Sequence, residues 1–256
     1  MKYPNRAHVP RSSRSWDAVA SWYAGWAGPD GSRHHRKLAI PLALELLALR
    51  PGEHLIDLGC GHGVMAGPAE KAGARFTGID LSPRLITEAR RRHTAAGFHV
   101  GDVTRLEAVP ALRPGTLDAA LFLLSIQDID PLERAIAGAS RLLKPGGRLV
   151  LVMLHPCFRV PRQSGWGWDE GRRLRYRRLD SYLSRLAVPM QPYPGGTGTT
   201  RAYHRPLEAY VSALSASGLA VTAMREMPGL EEPAGTRAER RATAEFPLLL
   251  GIVATR

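Results

Sequence analysis

Residues 55–63 read "LIDLGCGHG", a short apolar run followed by glycines at 59, 61 and 63. A β-prone segment that ends in alternating glycines and then gives way to a helical pattern is a strand–turn–helix junction. Glycines there let the backbone turn sharply and come close to a ligand, with the N-terminus of the next helix facing it. A glycine loop alone is weak evidence, so the spacing of the acids that follow decides the reading. "TGIDLS" ends the next strand on Asp80, about 20 residues beyond the loop, where an acid can grip both hydroxyls of a ribose. "VGDV" then places Asp102 at the end of a third strand, beside the same crevice.

Outward from that core the chain alternates. Strands are expected at 54–58, 75–80, 98–102, 117–124 and 148–154, with helices at about 64–72, 82–96 and 130–143. Ser82-Pro83 and Asp130-Pro131 each offer an N-cap followed by proline at the first helical position. "LKPGGRLVLVML" (143–154) turns into a wholly apolar central strand. A helix over 206–217 and strands at 219–225 and 247–254 complete the rhythm. This is an α/β chain with a mostly parallel, Rossmann-like sheet and helices on both faces.

Upstream, "SWDAVASWYAGWAG" (15–28) sets Trp16, Ala20, Tyr23 and Trp26 at helical spacing. "LAIPLALELLALRPGE" (38–53) reads as a second helix, Leu38 to Leu49, stopped by Pro51 and Gly52. Residues 1–52 thus form an N-terminal helical cover and 53–256 the sheet domain. Within the latter, 156–205, with its run "PYPGGTGTT", reads as an insertion with little regular structure of its own.

At 44% apolar residues, the 256-residue chain is composed like a protein with a packed core. Two cysteines, Cys60 and Cys157, exclude a disulfide framework and suit a reducing cytoplasm. No apolar run approaches the roughly 20 residues that span a bilayer, and the first residues lack the apolar core of a secretory signal, so a cytoplasmic protein without a membrane partner is expected. The net charge of +12 points toward phosphate-bearing partners. Arginine makes up 31 of the 35 basic residues, a bias that coding composition can also produce, and this limits the weight of the charge.

The ordered set "LIDLGCGHG", "GID", "GDV", "LDAALFLLSIQDID" (117–130) and "LLKPGGRLVLV" (142–152) resembles the class I S-adenosylmethionine-dependent methyltransferases, in the small-molecule, methyltransferase type 11-like branch. The likeness covers roughly Trp16 to Leu154 plus the closing helix and two strands. It implies a seven-stranded sheet with an antiparallel last strand, S-adenosylmethionine as cofactor, S-adenosylhomocysteine as product and no metal. It also implies residue roles. Gly59, Cys60 and Gly61 would line the methionyl portion with Asp57 close by, and Asp80 would hold the ribose. Leu81 would pack on adenine, Asp102 would accept from its amino group and Val103 would add a backbone contact. Leu123 and Ser125 would lie beside the sulfonium. A nicotinamide oxidoreductase, the structural competitor, would show G-x-G-x-x-G rather than G-x-G-x-G.

Methyl transfer from a sulfonium requires alignment more than elaborate acid–base groups. Gln127 and Asp128 follow strand four, and His155 follows strand five; Gln127 and His155 are the catalytic candidates. His155 reads equally as a general base or as a strand-end cap, and Asp128 reads more readily as a cap. "LLSIQD" lacks the Asn/Asp-Pro-Pro-Tyr of enzymes that methylate exocyclic amines of DNA bases, and "HPCFR" lacks the nucleophilic motif of RNA cytosine-C5 enzymes, so Cys157 reads as a small apolar residue. "YHRPLEAY" (203–210) is similar to the segment that opens the last helix in small-molecule members. The acceptor is therefore expected between the N-terminal helices (Trp22, Trp26 and His35, with Tyr23 and Arg36 toward the cofactor) and the insertion (Trp166, Trp168, Tyr203 and His204). Arg159, Arg162 and Arg172 suggest an acidic or planar aromatic acceptor, whereas Asp169 and Glu170 suggest local ion pairs. The rival readings are an RNA methyltransferase and a partner subunit without activity. The assembly is expected to be a monomer or a homodimer.

Overall fold

The computed structural model describes residues 15–190, 199–231 and 234–256; the polar N-terminus and most of "PYPGGTGTT" lie outside them. Helix α1 (Ser15–Ala27) and a π-helical turn over His35–Ala39 running into α2 (Ile40–Leu47) precede β1 (His54–Leu58). Then come α3 (Ala66–Lys71), β2 (Arg75–Asp80), α4 (Pro83–Arg92), β3 (Gly97–Val100), β4 (Leu117–Leu123), α5 (Leu132–Leu142) and β5 (Leu143–Leu154). The insertion carries β6 (Ser164–Asp169), β7 (Leu174–Leu179), β8 (Leu186–Met190) and β9 (Thr200–His204). The chain closes with α6 (Leu207–Ala216), β10 (Ala220–Pro228), α7 (Arg237–Glu245) and β11 (Pro247–Thr255).

Seven strands form one sheet in the order β10-β11-β5-β4-β1-β2-β3. Pairs β1–β2, β1–β4, β2–β3 and β4–β5 are parallel, whereas β11 runs antiparallel to both β5 and β10. The order reverses between β1 and β4, so a crevice opens beyond their carboxyl ends, where ligands of such sheets sit. Side chains alternate across the pleat. Ile56, Leu58, Phe122 and Leu151 pack with α5 and α6 on one face. Leu55, Leu121, Val150 and Val152 pack with α2, α3 and α4 on the other.

Several local expectations change. Ser82 does cap α4, its Oγ accepting from Leu85 N at 3.2 Å. Asp130 caps nothing: α5 starts after Pro131, and the Asp130 carboxylate accepts from Arg205 at 3.0 Å instead. The second helix ends at Leu47, where Ala48 takes a left-handed conformation (φ 42°). It is also not a cover, because Leu42, Ala43 and Leu47 are fully buried in the sheet core. Of the two N-terminal helices, α1 is the one that meets the glycine loop and the end of β2. The insertion is more regular than its loop-like composition suggests, with two antiparallel hairpins, β6–β7 and β8–β9. Its strands are legible in retrospect, since Trp166 and Trp168 alternate with glycines and face Arg177 and Arg175 across the ladder. Helix α7, which the strand–helix alternation does not predict, starts at a capping box formed by Thr236 and Glu239. Among the described residues no helix is long and apolar enough to cross a membrane.

Candidate cofactor and acceptor site

The glycine loop begins where β1 ends. Gly59 has φ +79°, and a Cβ there would stand 2.7 Å from Ser125 Cβ, so the loop meets the end of β4 too closely for any side chain. Ser125 Oγ locks this approach by donating to Leu58 O at 2.7 Å, and the Gly59 and Cys60 amides donate to Ile79 O at 2.8 and 3.0 Å. Cys60 is buried in the turn. At the end of β2, Asp80 accepts from Gly61 N and Ser82 N, both at 2.9 Å. Burial raises its carboxyl and these amides draw it back down.

Asp57 lies in the same turn, 1% exposed, and neither of its carboxylate oxygens has a hydrogen-bond partner. Burial first, and the Asp80 charge second, push its carboxyl up to about 8. A buried carboxylate without a donor is costly, so its charged form would gain from a cation brought beside it. Asp102 opens a 3-10 turn by accepting from Thr104 N at 2.9 Å and Thr104 Oγ1 at 2.7 Å. Val103 and Leu123 are buried and Leu81 is exposed.

Helix α1 is pinned across this loop at both ends. Asp17 Oδ1 accepts from Ser82 Oγ at 2.8 Å and from Arg84 N at 3.1 Å, while His62 Nε2 donates to Gly28 O at 2.9 Å. Between these points Tyr23 rests on the loop, since a Cβ at Gly61 would meet its ring at 3.5 Å. Burial, and then the charges of Asp80, Asp128 and Asp57, push the phenol far above its ordinary range. Tyr23 packs edge-on to Trp16 and His62, and Trp22 stacks on Trp26, which is exposed.

Strand β9 packs on the 3-10 turn Ile126–Asp128, and α1 leans on β9. The Tyr203 ring lies under the Arg205 guanidinium at 5.2 Å, and His204 donates to Tyr182 O at 2.6 Å. Arg205 is buried, with Nη2 donating to Ile129 O at 2.7 Å and Nη1 unpartnered. Gln127 Nε2 donates to Leu124 O at 2.8 Å, which leaves its buried Oε1 without a donor.

Other expected residues go elsewhere. His155 is buried with both ring nitrogens occupied, Nδ1 accepting from Cys157 N at 3.2 Å and Nε2 donating to Glu226 on β10 at 2.8 Å. Burial lowers its pKa against the pull of Glu226, and with both nitrogens engaged it is a neutral clasp between β5 and the sheet edge. His155→Ala is accordingly expected to cost about 1–3 kcal/mol of stability in thermal melts while leaving cofactor affinity within about twofold by calorimetry. A tenfold loss of affinity would return it to the site.

Trp166 does not sit at the crevice either. Its ring holds the guanidiniums of Arg175, Arg177 and Arg159 at 4.8, 5.2 and 5.8 Å and packs edge-on to Phe246. Trp168 is exposed on the same hairpin. His35 is buried with Nδ1 hydrogen-bonded to Ser32 Oγ at 2.9 Å, and burial brings it down to about 4. Arg36 is exposed and donates to Gly31 O. Sequence reasoning underrated Arg205, whose ion pair with Asp130 at 3.0 Å depends on β9 returning to the end of β4.

Comparison with known proteins agrees with this geometry. Residues 56–151 match the family model described as "Methyltransferase domain". A ubiquinone biosynthesis O-methyltransferase from Xanthomonas campestris pv. campestris (strain B100) is 34% identical over 144 residues, covering 54% of this chain and 60% of that protein. A like-named protein from Xylella fastidiosa (strain M23) is 31% identical over 137 residues, covering 52% and 56%. The chain thus spans about three fifths of the length of the curated relatives it matches. The crystal structure of an S-adenosylmethionine-dependent methyltransferase from Mesorhizobium loti superposes with a TM-score of 0.69 at 25% identity, covering 90% of this chain and all of that one.

A parallel sheet with a glycine loop after its first strand and a ribose-type acid after its second defines a nucleoside-binding α/β protein. Residues 56–151 match a methyltransferase domain, and the fold and its neighbours are consistent with the class I S-adenosylmethionine-dependent methyltransferases. The residues present fit that class's cofactor: the unpartnered Asp57 carboxylate suits a cationic amino acid portion, and Asp80 at the end of β2 suits a ribose diol.

Proposed function

We propose that this protein transfers a methyl group from S-adenosylmethionine to an oxygen, nitrogen or carbon of a small molecule. When bound, the cofactor supplies an electrophilic methyl on a sulfonium and leaves as a neutral thioether. Asp57 holds its cationic end, Asp80 its ribose and Asp102 with Val103 the adenine, while Ser125 and Leu123 border the methyl. Tyr23 and β9 exclude water above it and position the acceptor, together with Trp22, Trp26 and Tyr203.

The observation that carries this reading is α1 lying across the glycine loop, with Asp17 held by Ser82 Oγ at 2.8 Å and Gly28 O by His62 at 2.9 Å, and β9 packed on both α1 and the turn after β4. Such a cover favours a small acceptor over a polymer. The arginine-rich hairpin supports the same choice, because Arg175 pairs with Glu239 at 2.9 Å and Arg178 with Asp180 at 3.0 Å, so part of its charge is neutralised within the protein. The compartment is the cytoplasm, supported by two free cysteines, and the assembly a monomer or homodimer. The test is formation of S-adenosylhomocysteine with a library of hydroxylated and amino small molecules beside total RNA. Turnover with RNA alone would overturn the small-molecule reading.

A further inference from the structure

Three guanidiniums share one indole in the insertion. The central carbons of Arg175, Arg177 and Arg159 lie 4.8, 5.2 and 5.8 Å from the Trp166 ring centroid, within cation–π reach. Arg175 and Arg177 stand opposite Trp168 and Trp166 on the β6–β7 ladder, whereas Arg159 leaves the turn after β5. Phe246 walls the cluster, its ring edge-on to Trp166 at 5.6 Å and to Phe158 at 5.8 Å.

Acids do not balance these cations. Among the described residues the carboxylate paired with the cluster is Glu239 of α7, and it takes Arg175 at 2.9 Å. Glu226, which reaches this corner from β10, is taken by His155. Arg177 spends Nε and Nη2 on neutral oxygens, Phe158 O at 2.7 Å and Ser164 Oγ at 2.8 Å. The Nε of Arg159 is buried and has no hydrogen-bond partner among the described residues. Burial, and then the charge of Arg177, bring Arg159 down to about 10. Two positive charges are thus left over, on side chains that are half-buried but not sealed from solvent, and such charges are costly without a counter-ion.

We infer that Arg159 and Arg177, held over Trp166, form a second ligand site that binds the dianionic group of a phosphate monoester. A monoester carries close to two negative charges above neutral pH, matching the two that the cluster leaves uncompensated. Guanidinium forks meet phosphate oxygens in pairs, so the Arg159 Nε gains the acceptor it lacks. A phosphodiester or a carboxylate brings one charge and leaves the other cation unmet. None of these residues belongs to the cofactor crevice, so the site stands whether or not methyl transfer is the reaction.

The test is titration calorimetry on the full chain at pH 8 and fixed ionic strength, with inorganic phosphate and phenyl phosphate set against diethyl phosphate and benzoate. The two dianions are expected to bind saturably, about tenfold or more tighter than the two monoanions. Arg159→Gln and Arg177→Gln should each weaken phenyl phosphate by about tenfold or more, whereas the exposed Arg172→Gln should bind it as the wild type does. Arg177→Gln also removes the bonds to Phe158 and Ser164, so Arg159→Gln is the decisive variant. Without phosphate, Arg159→Gln should melt no lower than the wild type, because it removes one of two cations that repel each other. The absence of saturable phosphate binding would overturn the inference, and so would monoanions that bind as tightly as dianions. Phenyl phosphate binding Arg159→Gln as it binds the wild type would do the same. A melting point lowered by about 3 °C or more in Arg159→Gln would mark a structural arginine and overturn it as well.

Discussion

Asp57→Asn is expected to stabilise the cofactor-free protein at pH 8 and to remove most of its affinity for S-adenosylmethionine. The two effects share one cause. In the folded chain the carboxyl is raised from 3.8 to about 8, because burial withholds water and no donor replaces it. A group whose folded pKa lies above its unfolded value favours folding fully below the unfolded value, and that contribution is lost as pH rises through the folded one. The cofactor-free protein should therefore lose stability between about pH 4 and pH 8, with Asp128, also raised to about 8, acting in the same direction.

At about 1.4 kcal/mol per unit the full shift would be worth roughly 6 kcal/mol. A buried amide has its own unmet hydrogen bonds, so a net gain of about 2 kcal/mol, or roughly 5 °C in Tm, is expected. Affinity should fall about 100-fold, since the cofactor's cation would lose a buried carboxylate. Calorimetry at pH 5 and pH 8, with and without cofactor, reads all of this. A lower Tm at pH 8 together with unchanged affinity would refute the assignment of Asp57.

Asp80→Ala should weaken S-adenosylmethionine binding by about 100-fold or more, because hydrogen bonds to a charged acceptor are each worth about 1.5–3 kcal/mol. The change also strips Gly61 N and Ser82 N of their acceptor, so the loop and the start of α4 loosen together. Asp80→Asn keeps one acceptor oxygen and should lose roughly tenfold. Titration calorimetry on both variants distinguishes the two sizes of effect, and an alanine variant within threefold of wild type would remove Asp80 from the cofactor site.

Much of the cofactor half is readable along the chain because its determinants are local. A strand must end before Gly59, Ser82 caps the helix that follows it, and Asp80 ends a strand at a fixed spacing from the loop. The acceptor half was read less well because its determinants are long-range. His155 follows a central strand, where a base would stand, yet a partner 71 residues later, Glu226, takes its Nε2. Asp130 precedes a proline at a helix start, yet Arg205, 75 residues later, takes its carboxylate. Trp166 was placed by its neighbours in the chain, but three arginines and Phe246 hold it beside α7.

The sequence alone determined the alternation of strands and helices, the glycine turn and the acids at the ends of β1, β2 and β3. Hydrophobic period, turn chemistry and spacing are properties of contiguous residues. Long-range packing settled that α1 rather than α2 covers the crevice, that β9 rather than the tryptophan hairpin reaches the end of β4, and that Asp130 pairs with Arg205. Those outcomes depend on which distant groups compete for the same few hydrogen-bonding atoms, and no period in the chain records that competition.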